Sequence, residues 1–180
     1  MSWKILKKEY LEKNKWVNLR KDVCITTHGK KIDDYYVMEL ADVASVVAIT
    51  KDKKILLVKE YKHGVQKEVL QLPSGYVDKG ETSLETAQRE LLEETGYKAE
   101  KWTTLGKLTG SPGRLTHYYH LFLAENAEYV QEPHADETES LVLITVPFKD
   151  VVQLIRFQQS DLVTPAGLLL AKELLERRKK

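Results

Sequence analysis

Apolar and polar residues follow one another along this chain in patterns that predict secondary structure. The segment 15–26 is rich in β-branched and apolar residues, and 35–40 repeats that character, so an antiparallel pair is predicted near the N-terminus. Two apolar runs separated by a short polar stretch predict a hairpin from 43–50 and 55–59. Further strands are predicted at 68–72, within 98–108, at 118–124 and at 141–146.

A helix is predicted between Thr82 and Gly96. Thr82 followed three residues later by Glu85 is a capping-box pattern, and a glycine such as Gly96 can end a helix in the left-handed conformation. At about 100° per residue one apolar stripe should face the core. The residues of this stripe are Leu84, Ala87 and Leu91.

The C-terminal third predicts one long loop and two helices. Residues 125–139 are acidic and without periodicity, which indicates a surface loop. Helices are predicted at 148–157 and 165–177, and Thr164-Pro165 supplies an N-cap and a first-turn proline for the second. The buried side of that helix is predicted to contain Leu168, Leu169, Leu170, Leu174 and Leu175.

Composition limits the class of protein. The 180 residues, 42% hydrophobic and 31% charged, fit a domain of ordinary size with a substantial core. A formal net charge of +1 gives no reason to expect nucleic acid or a membrane surface as a partner. Cys24 is the only cysteine, so no internal disulfide can form. Because no apolar segment follows the lysine-rich N-terminus and no run approaches about 20 apolar residues, a cytoplasmic protein is expected.

The predicted helix over 82–96 carries an unusual density of acids. Glu90 and Glu94 lie one turn apart beside the apolar stripe, while Arg89 and Glu93 share the next face. Like charges at that spacing repel, and a hard divalent cation such as Mg²⁺ would reverse the sign of this cost. A solvated charged helix face is the alternative interpretation.

The spacing of identities across 75–97 favours the metal-binding interpretation. Gly75 is followed after five residues by Glu81, and after seven more by the run Arg-Glu-Leu-x-Glu-Glu-x-Gly-Tyr from Arg89 to Tyr97. Every specified position of the signature of the Nudix hydrolases is matched, so the chain resembles that family. The resemblance implies an α+β fold, an α/β/α sandwich on a mixed central sheet. It also implies Mg²⁺-dependent hydrolysis, with Mn²⁺ as a substitute, of a nucleoside diphosphate linked to another moiety.

The same resemblance implies roles for residues of the motif. Arg89 would orient the glutamates as part of the catalytic group, to which Glu93 also belongs, and Glu81 would assist a metal through water. The implied metal ligands are Glu90, Glu93, Glu94 and the backbone carbonyl of Ser74.

A second stretch, Ser111-Pro112-Gly113, is similar to the ADP-ribose pyrophosphatase subgroup of the family. It implies a loop, with Pro112 at the substrate, that is shaped for the second half of a nucleoside diphosphate sugar. In that subgroup a glutamate just before the last strand deprotonates the attacking water. Glu139 matches that position and Glu137 is the alternative. The implied products are a nucleoside monophosphate and a sugar phosphate.

Two positions depart from the subgroup pattern. His117 stands where many ADP-ribose enzymes carry a glutamate, and Val142 and Leu143 stand where a second acidic residue is common. Arg114 could compensate by contacting a phosphate or the terminal sugar. The identity of the sugar is therefore left open.

The resemblance also implies a domain organisation. Residues 1–41 would form an N-terminal antiparallel β-extension used for homodimerisation, ahead of a Nudix hydrolase domain spanning 42–180. Trp16 would either stack on a nucleobase or fill the dimer interface. Lys62, where relatives often carry an arginine, would contact a substrate phosphate or be a solvated lysine at a strand end.

Two other functions remain compatible with the pattern. One is hydrolysis of a different nucleoside diphosphate derivative: a dinucleoside polyphosphate, an oxidised nucleotide or an RNA cap. The other is a non-catalytic Nudix domain that senses a nucleotide. Pro112 argues against the first, and the complete set of motif glutamates argues against the second.

Overall fold

The computed structural model describes residues 2–134, 140–157 and 160–179. The chain forms two compact units. One comprises Met1–Asp42 with Thr109–Tyr118, and the other comprises Val43–Leu108 with Tyr119–Lys180. The segment Thr109–Tyr118 thus clusters with the N-terminal strands, although it lies inside the region 42–180 of the sequence prediction.

The first unit contains a three-stranded antiparallel sheet with strand order β1-β2-β3. The pairing of β2 with β3 confirms the predicted antiparallel pair, whereas β1 was not predicted. Its lysine-rich sequence shows no regular apolar face, and every one of its residues is exposed. The strands are β1 (Lys4–Lys13), β2 (Asn18–Ile25) and β3 (Lys31–Glu39).

The second unit is built on a mixed sheet whose main strand order is β11-β5-β4-β10-β8. β4 and β10 run parallel, and the other pairs are antiparallel. The strands are β4 (Val43–Thr50), β5 (Lys54–Lys62), β6 (Lys67–Gln71), β7 (Ser74–Tyr76), β8 (Tyr97–Lys98), β9 (Lys101–Leu108), β10 (Tyr119–Tyr129) and β11 (Val142–Pro147). The helices are α1 (Ser83–Thr95), α2 (Val151–Phe157), which follows a 3₁₀ turn at Phe148–Asp150, and α3 (Val163–Arg177).

β4 and β5 pair over only two positions, Ala48 with Leu56 and Ile49 with Ile55. Beyond that point β6 pairs with β5 and β7 pairs with β4, so the segment that contains β6 and β7 fills the fork. Pro73 separates the two short strands, and its carbonyl accepts the N–H of Val46 at 2.9 Å. The fork therefore fixes the backbone that leads into Gly75.

The sheet carries a hydrophobic core on each face, which confirms the α/β/α sandwich. On one face the side chains of Val46, Ala48, Leu56 and Phe122 pack with Ala87 and Leu91 of α1. On the other face Val47, Ile49, Leu57 and Leu123 pack with Val151, Leu168 and Ala171 of α2 and α3. Alternation along β4 thus sends successive side chains to opposite layers.

Several local predictions were wrong. Leu84, Leu169 and Leu170 are exposed, although all three were predicted to be buried. The helix α1 buries Thr86 and Thr95 beside Ala87, and α3 covers the sheet with a narrower stripe than predicted. β10 continues to Tyr129, so the predicted loop over 125–139 begins later. Its extension depends on pairing with β4 and β8, which a local pattern does not reveal.

The start of α3 also differs from the prediction. The helix begins at Val163, so Thr164 lies inside its first turn and does not cap it. The N–H of Thr164 donates to Asp161 Oδ1 at 2.8 Å, and its hydroxyl accepts the N–H of Leu72 at 3.0 Å. Thr164 therefore serves a tertiary contact. No helix within the described ranges is both long and apolar enough to cross a membrane.

Candidate active site

The boundaries of α1 confirm the predicted caps. The hydroxyl of Thr82 accepts the N–H of Glu85 at 3.3 Å, and Glu85 Oε2 accepts the N–H of Thr82 at 2.8 Å. Gly96 ends the helix with φ of 76°. A Cβ at Gly96 would lie 2.0 Å from the carbonyl oxygen of Gln131, so this position requires glycine for space as well as for conformation.

Gly75 allows the carboxylate of Glu90 to approach the backbone of β7. An ideal Cβ at Gly75 would lie 1.9 Å from Glu90 Oε1 and 2.2 Å from its Cδ. Any side chain at this position would displace the carboxylate. The glycine is therefore required by the position of Glu90, which is one turn of α1 away from Glu94.

Glu94 is buried, with 3% of its surface exposed. Its Oε2 accepts the backbone N–H of Ser74 at 3.0 Å. Ser74 is itself held in the sheet, since it pairs with Ser45 of β4. Burial of a carboxyl group is costly unless hydrogen bonds compensate, and the contact with Ser74 offsets part of that cost. The same contact joins α1 to β7.

Arg89 gathers the remaining acids of the motif. It makes a two-pronged contact with Glu81, Nε to Oε1 and Nη2 to Oε2, both at 3.1 Å. Its Nη1 donates to Glu90 Oε1 at 2.6 Å and to Glu93 Oε2 at 3.1 Å. The forked contact is thus with Glu81, whereas Glu93, on the same helix face as Arg89, accepts a single hydrogen bond.

The charge pairing shifts the pKa values of both Arg89 and Glu81. Hydrogen bonds from Arg89 and from the Thr86 hydroxyl hold the pKa of Glu81 below its ordinary value. The same contact with Glu81 raises the pKa of Arg89, with the charge of Glu90 acting in the same direction. The guanidinium and the Glu81 carboxylate therefore stay ionised at neutral pH.

The donor set fits a hard divalent cation. Every candidate group is a carboxylate or carbonyl oxygen, which is the ligand type that Mg²⁺ prefers. Within the described residues no three His, Cys, Asp or Glu side chains are already arranged around one metal position. A preformed set of three side chains is not required for Mg²⁺, because this ion is usually held by one or two carboxylates together with water and substrate phosphates.

The other predicted site residues lie in different surroundings. Trp16 is 67% exposed in the turn between β1 and β2, and the ammonium of Lys15 lies 4.3 Å from its ring centroid. Lys62 lies at the end of β5 and forms an ion pair of 2.5 Å with Glu60. Glu139 and its alternative Glu137 are outside the described residues.

Pro112 and Arg114 belong to the segment that packs in the first unit. The guanidinium of Arg114 donates to the carbonyl of Tyr36 at 3.0 Å and lies 4.3 Å from the ring centroid of Tyr35. The hydroxyl of Tyr35 donates to the carbonyl of Gly113. Arg114 is therefore held against β3. The guanidinium that was predicted to contact the substrate already contacts Tyr35 and Tyr36.

Sequence reasoning missed Glu60 and Gln71. Both are buried, and the amide of Gln71 donates to Glu60 Oε2 at 3.2 Å. The alternation of side chains along β5 was the available signal. Glu60 lies on the same side of the strand as the buried residues Leu56 and Val58, so an acid continues an apolar stretch of that face.

Comparisons with known proteins agree with this geometry. Residues 39–166 match the NUDIX domain, and residues 3–38 match the nucleoside diphosphate sugar hydrolase N-terminal domain. The chain therefore belongs to the Nudix family of hydrolases, which confirms the resemblance seen in the motif.

Individual relatives extend over most of the chain. ADP-ribose pyrophosphatase of Bacillus subtilis (strain 168) is 32% identical over 157 residues, 87% of this chain and 84% of that protein. Methanol dehydrogenase activator of Bacillus methanolicus is 31% identical over 179 residues, 97% and 96% of the two chains. A crystal structure of an ADP compounds hydrolase aligns with a TM-score of 0.83 at 25% identity, covering 99% of this chain and 96% of that one.

Proposed function

We propose that this protein is a Mg²⁺-dependent pyrophosphohydrolase of nucleoside diphosphate sugars, ADP-ribose or a related compound. The products are a nucleoside monophosphate and a sugar phosphate. The observation that supports this most strongly is the junction of α1 with β7, where Glu90 lies against Gly75 and Glu94 binds Ser74. The name of the Bacillus subtilis relative, ADP-ribose pyrophosphatase, supports the same substrate class.

The residues proposed to hold the metal are Glu90, Glu93, Glu94 and the carbonyl of Ser74. When bound, Mg²⁺ would neutralise phosphate charge and lower the pKa of a bound water. Arg89 keeps the acids oriented through its contacts with Glu81, Glu90 and Glu93.

Glu139 is proposed as the base that accepts the proton of the attacking water, with Glu137 as the alternative. The N–H of His134 donates to the backbone carbonyl of Glu93 at 2.8 Å. His134, which precedes both acids in the sequence, therefore lies next to the C-terminal end of α1. This supports a base supplied from that segment, and full activity of Glu139→Gln would transfer the assignment to Glu137.

The substrate assignments of the other residues are part of the proposal. Lys62 would contact a substrate phosphate, Trp16 would stack on the base, and Pro112 with Arg114 would line the sugar side. Exposure of Trp16 is compatible with stacking or with an interface. A homodimer built through the N-terminal strands is proposed, and a cytoplasmic location stays a prediction.

A substrate panel tests the proposed function. Purified protein should release phosphate, after coupling to a phosphatase, from ADP-ribose or another nucleoside diphosphate sugar in the presence of Mg²⁺, and EDTA should abolish the release. Dinucleoside polyphosphates, an oxidised nucleotide and a capped RNA serve as the competing classes. If no nucleoside diphosphate sugar is hydrolysed, the proposal is wrong, and ligand binding without turnover would indicate a sensor.

A further inference from the structure

A partly buried polar cluster of three side chains, Glu60, Lys62 and Gln71, lies where β5 meets β6. Glu60 is only 8% exposed, and its Oε2 makes one hydrogen bond and one ion pair. The amide of Gln71 donates to it at 3.2 Å, and the ammonium of Lys62 lies 2.5 Å away. Lys62 remains nearly half exposed, so the cluster joins the interior to the surface.

The cluster lies on the same face of the sheet as α1. The register of β5 with β6 is continuous from Val58 with Gln71 to Lys62 with Lys67, so side chains alternate regularly between faces. Leu56 packs against Ala87 and Leu91 of α1, and Glu60 and Lys62 follow it at even spacing.

The partner strand gives the same result. Gln71 is opposite Val58, whereas its neighbours Leu70 and Leu72 pack in the core on the opposite face of the sheet. Gln71 also lies close in sequence to Ser74, whose N–H binds Glu94 of α1. The segment from Gln71 to Ser74 thus contacts both Glu60, the partner of Lys62, and Glu94 on the acidic side of α1.

We propose that Glu60 is a positioning residue that holds the Lys62 ammonium on the α1 side of the sheet for a phosphate of the substrate. This inference rests on the proposed function. A lysine side chain is flexible, and a buried carboxylate restrains it before substrate binds. The entropic cost of ordering the side chain on binding is then smaller. An ammonium group carries three donors, and contact with Glu60 leaves donors for phosphate oxygens.

Glu60→Gln tests the proposal because it keeps the shape of the side chain and removes its charge. We expect KM for the best nucleoside diphosphate sugar to rise about three- to tenfold, with kcat within about twofold of the wild-type value. Calorimetry with the same compound in EDTA should show a similar increase in Kd. Lys62→Gln should have the same effect, and the double variant should be no worse than Lys62→Gln alone.

Glu68→Gln is the matched control. Glu68 forms an ion pair with Lys59 between the same two strands, and by parity this pair lies on the opposite face. Its removal should leave KM and Kd unchanged. Glu60→Asp, which keeps the charge but shortens the side chain, should show a smaller increase in KM and provides the test if Glu60→Gln does not fold.

Three results would overturn the inference. KM could fall in Glu60→Gln, which would mean that the carboxylate only neutralises Lys62. The KM of Glu60→Gln, or of Glu60→Asp if only that variant folds, could equal the wild-type value. The effects of Glu60→Gln and Lys62→Gln could also be fully additive. Failure of the wild-type protein to hydrolyse any nucleoside diphosphate sugar is a separate outcome that removes the proposed function and this inference together.

Discussion

Glu94 combines the deepest burial among the acids of α1 with a direct backbone contact. Its carboxylate is almost inaccessible to water and accepts the N–H of Ser74. Glu90, one turn earlier, depends on the absence of a side chain at Gly75. Both carboxylates thus lie against the backbone of β7, each through its own contact, so substitutions at either position test the site directly.

Glu94→Gln should reduce kcat by at least about 100-fold, because one ligand charge is lost while the shape of the side chain is kept. Steady-state hydrolysis of the best panel substrate at saturating Mg²⁺ measures the effect. Glu85→Gln is the control, since Glu85 is exposed on the same helix and glutamine also serves in a capping box. Equal rates for both variants would remove Glu94 from the metal site.

His117 is a second residue whose surroundings decide its behaviour. It is 4% exposed, and burial lowers its pKa, while the nearby carboxylate of Asp42 acts in the opposite direction. The imidazole therefore favours the neutral form at this position, where many ADP-ribose enzymes carry a glutamate. A neutral side chain here gives no anionic group for a metal or sugar contact.

The lowered pKa of His117 predicts a pH-dependent stability. The unfolded chain binds the proton more readily than the folded chain, so the stabilising contribution is present above the ordinary pKa of 6.5 and is lost as pH falls through the folded value. Urea unfolding between about pH 7.5 and pH 5.5 should show a smaller decline in the free energy of unfolding for His117→Gln than for wild type. The exposed His28→Gln should retain the wild-type decline, and an identical slope for His117→Gln would contradict the prediction.

At the scale of elements, α3 is attached to the turn that precedes the candidate site. Thr164, in the first turn of α3, accepts the N–H of Leu72 within the core. Leu72 is followed by Pro73 and then by Ser74 of β7, so the position of the site backbone depends on a helix on the opposite face of the sheet. Thr164, which was predicted to cap the helix, makes this contact instead.

Thr164→Val should lower the free energy of unfolding by about 1–3 kcal/mol, because the buried N–H of Leu72 loses its acceptor. Chemical denaturation measures this change. Thr164→Ser retains the hydroxyl and should lose much less, which separates the hydrogen bond from the methyl packing. If the two variants are equally destabilised, the hydrogen bond is not the cause.

At the scale of the whole molecule, the N-terminal sheet exposes a long edge strand. β1 has a full row of exposed residues, and large apolar side chains are prominent among them. An exposed edge of this length invites pairing with another chain. The apolar residues on and beside it are Trp3, Ile5, Leu6, Tyr10 and Leu11.

Light scattering after gel filtration should give twice the monomer mass of 20.7 kDa. Leu11→Glu places a charge on the exposed strand and should shift the mass towards the monomer, because desolvating that charge in an interface is costly. Val65→Glu changes an exposed apolar residue in the turn between β5 and β6 and should not alter the mass. A monomeric wild-type protein would exclude the proposed homodimer under these conditions.

The sequence predicted the elements whose signals are local. The capping box at Thr82, the left-handed end at Gly96 and the apolar run of β4 each act within a few residues, and all three are confirmed. β1 and the end of β10 were missed, because their pairing partners are distant in sequence and their own patterns are weak. Of the candidate site, the α1 acids were predicted from spacing, whereas the Arg89 fork to Glu81 and the Glu60 cluster were not.

The residues from Gly75 to Tyr97 by themselves carried the resemblance to the family, which the NUDIX domain match confirmed. They also determined the helix that carries the acids, because a fixed helical period converts sequence distance into angular position. Only the tertiary structure decided which groups meet across elements: Glu90 with Gly75, Glu94 with Ser74, and Gln71 with Glu60. Those contacts depend on the fork between β4 and β5 and on the strand register. Both arise from long-range packing, which no local pattern of residues encodes.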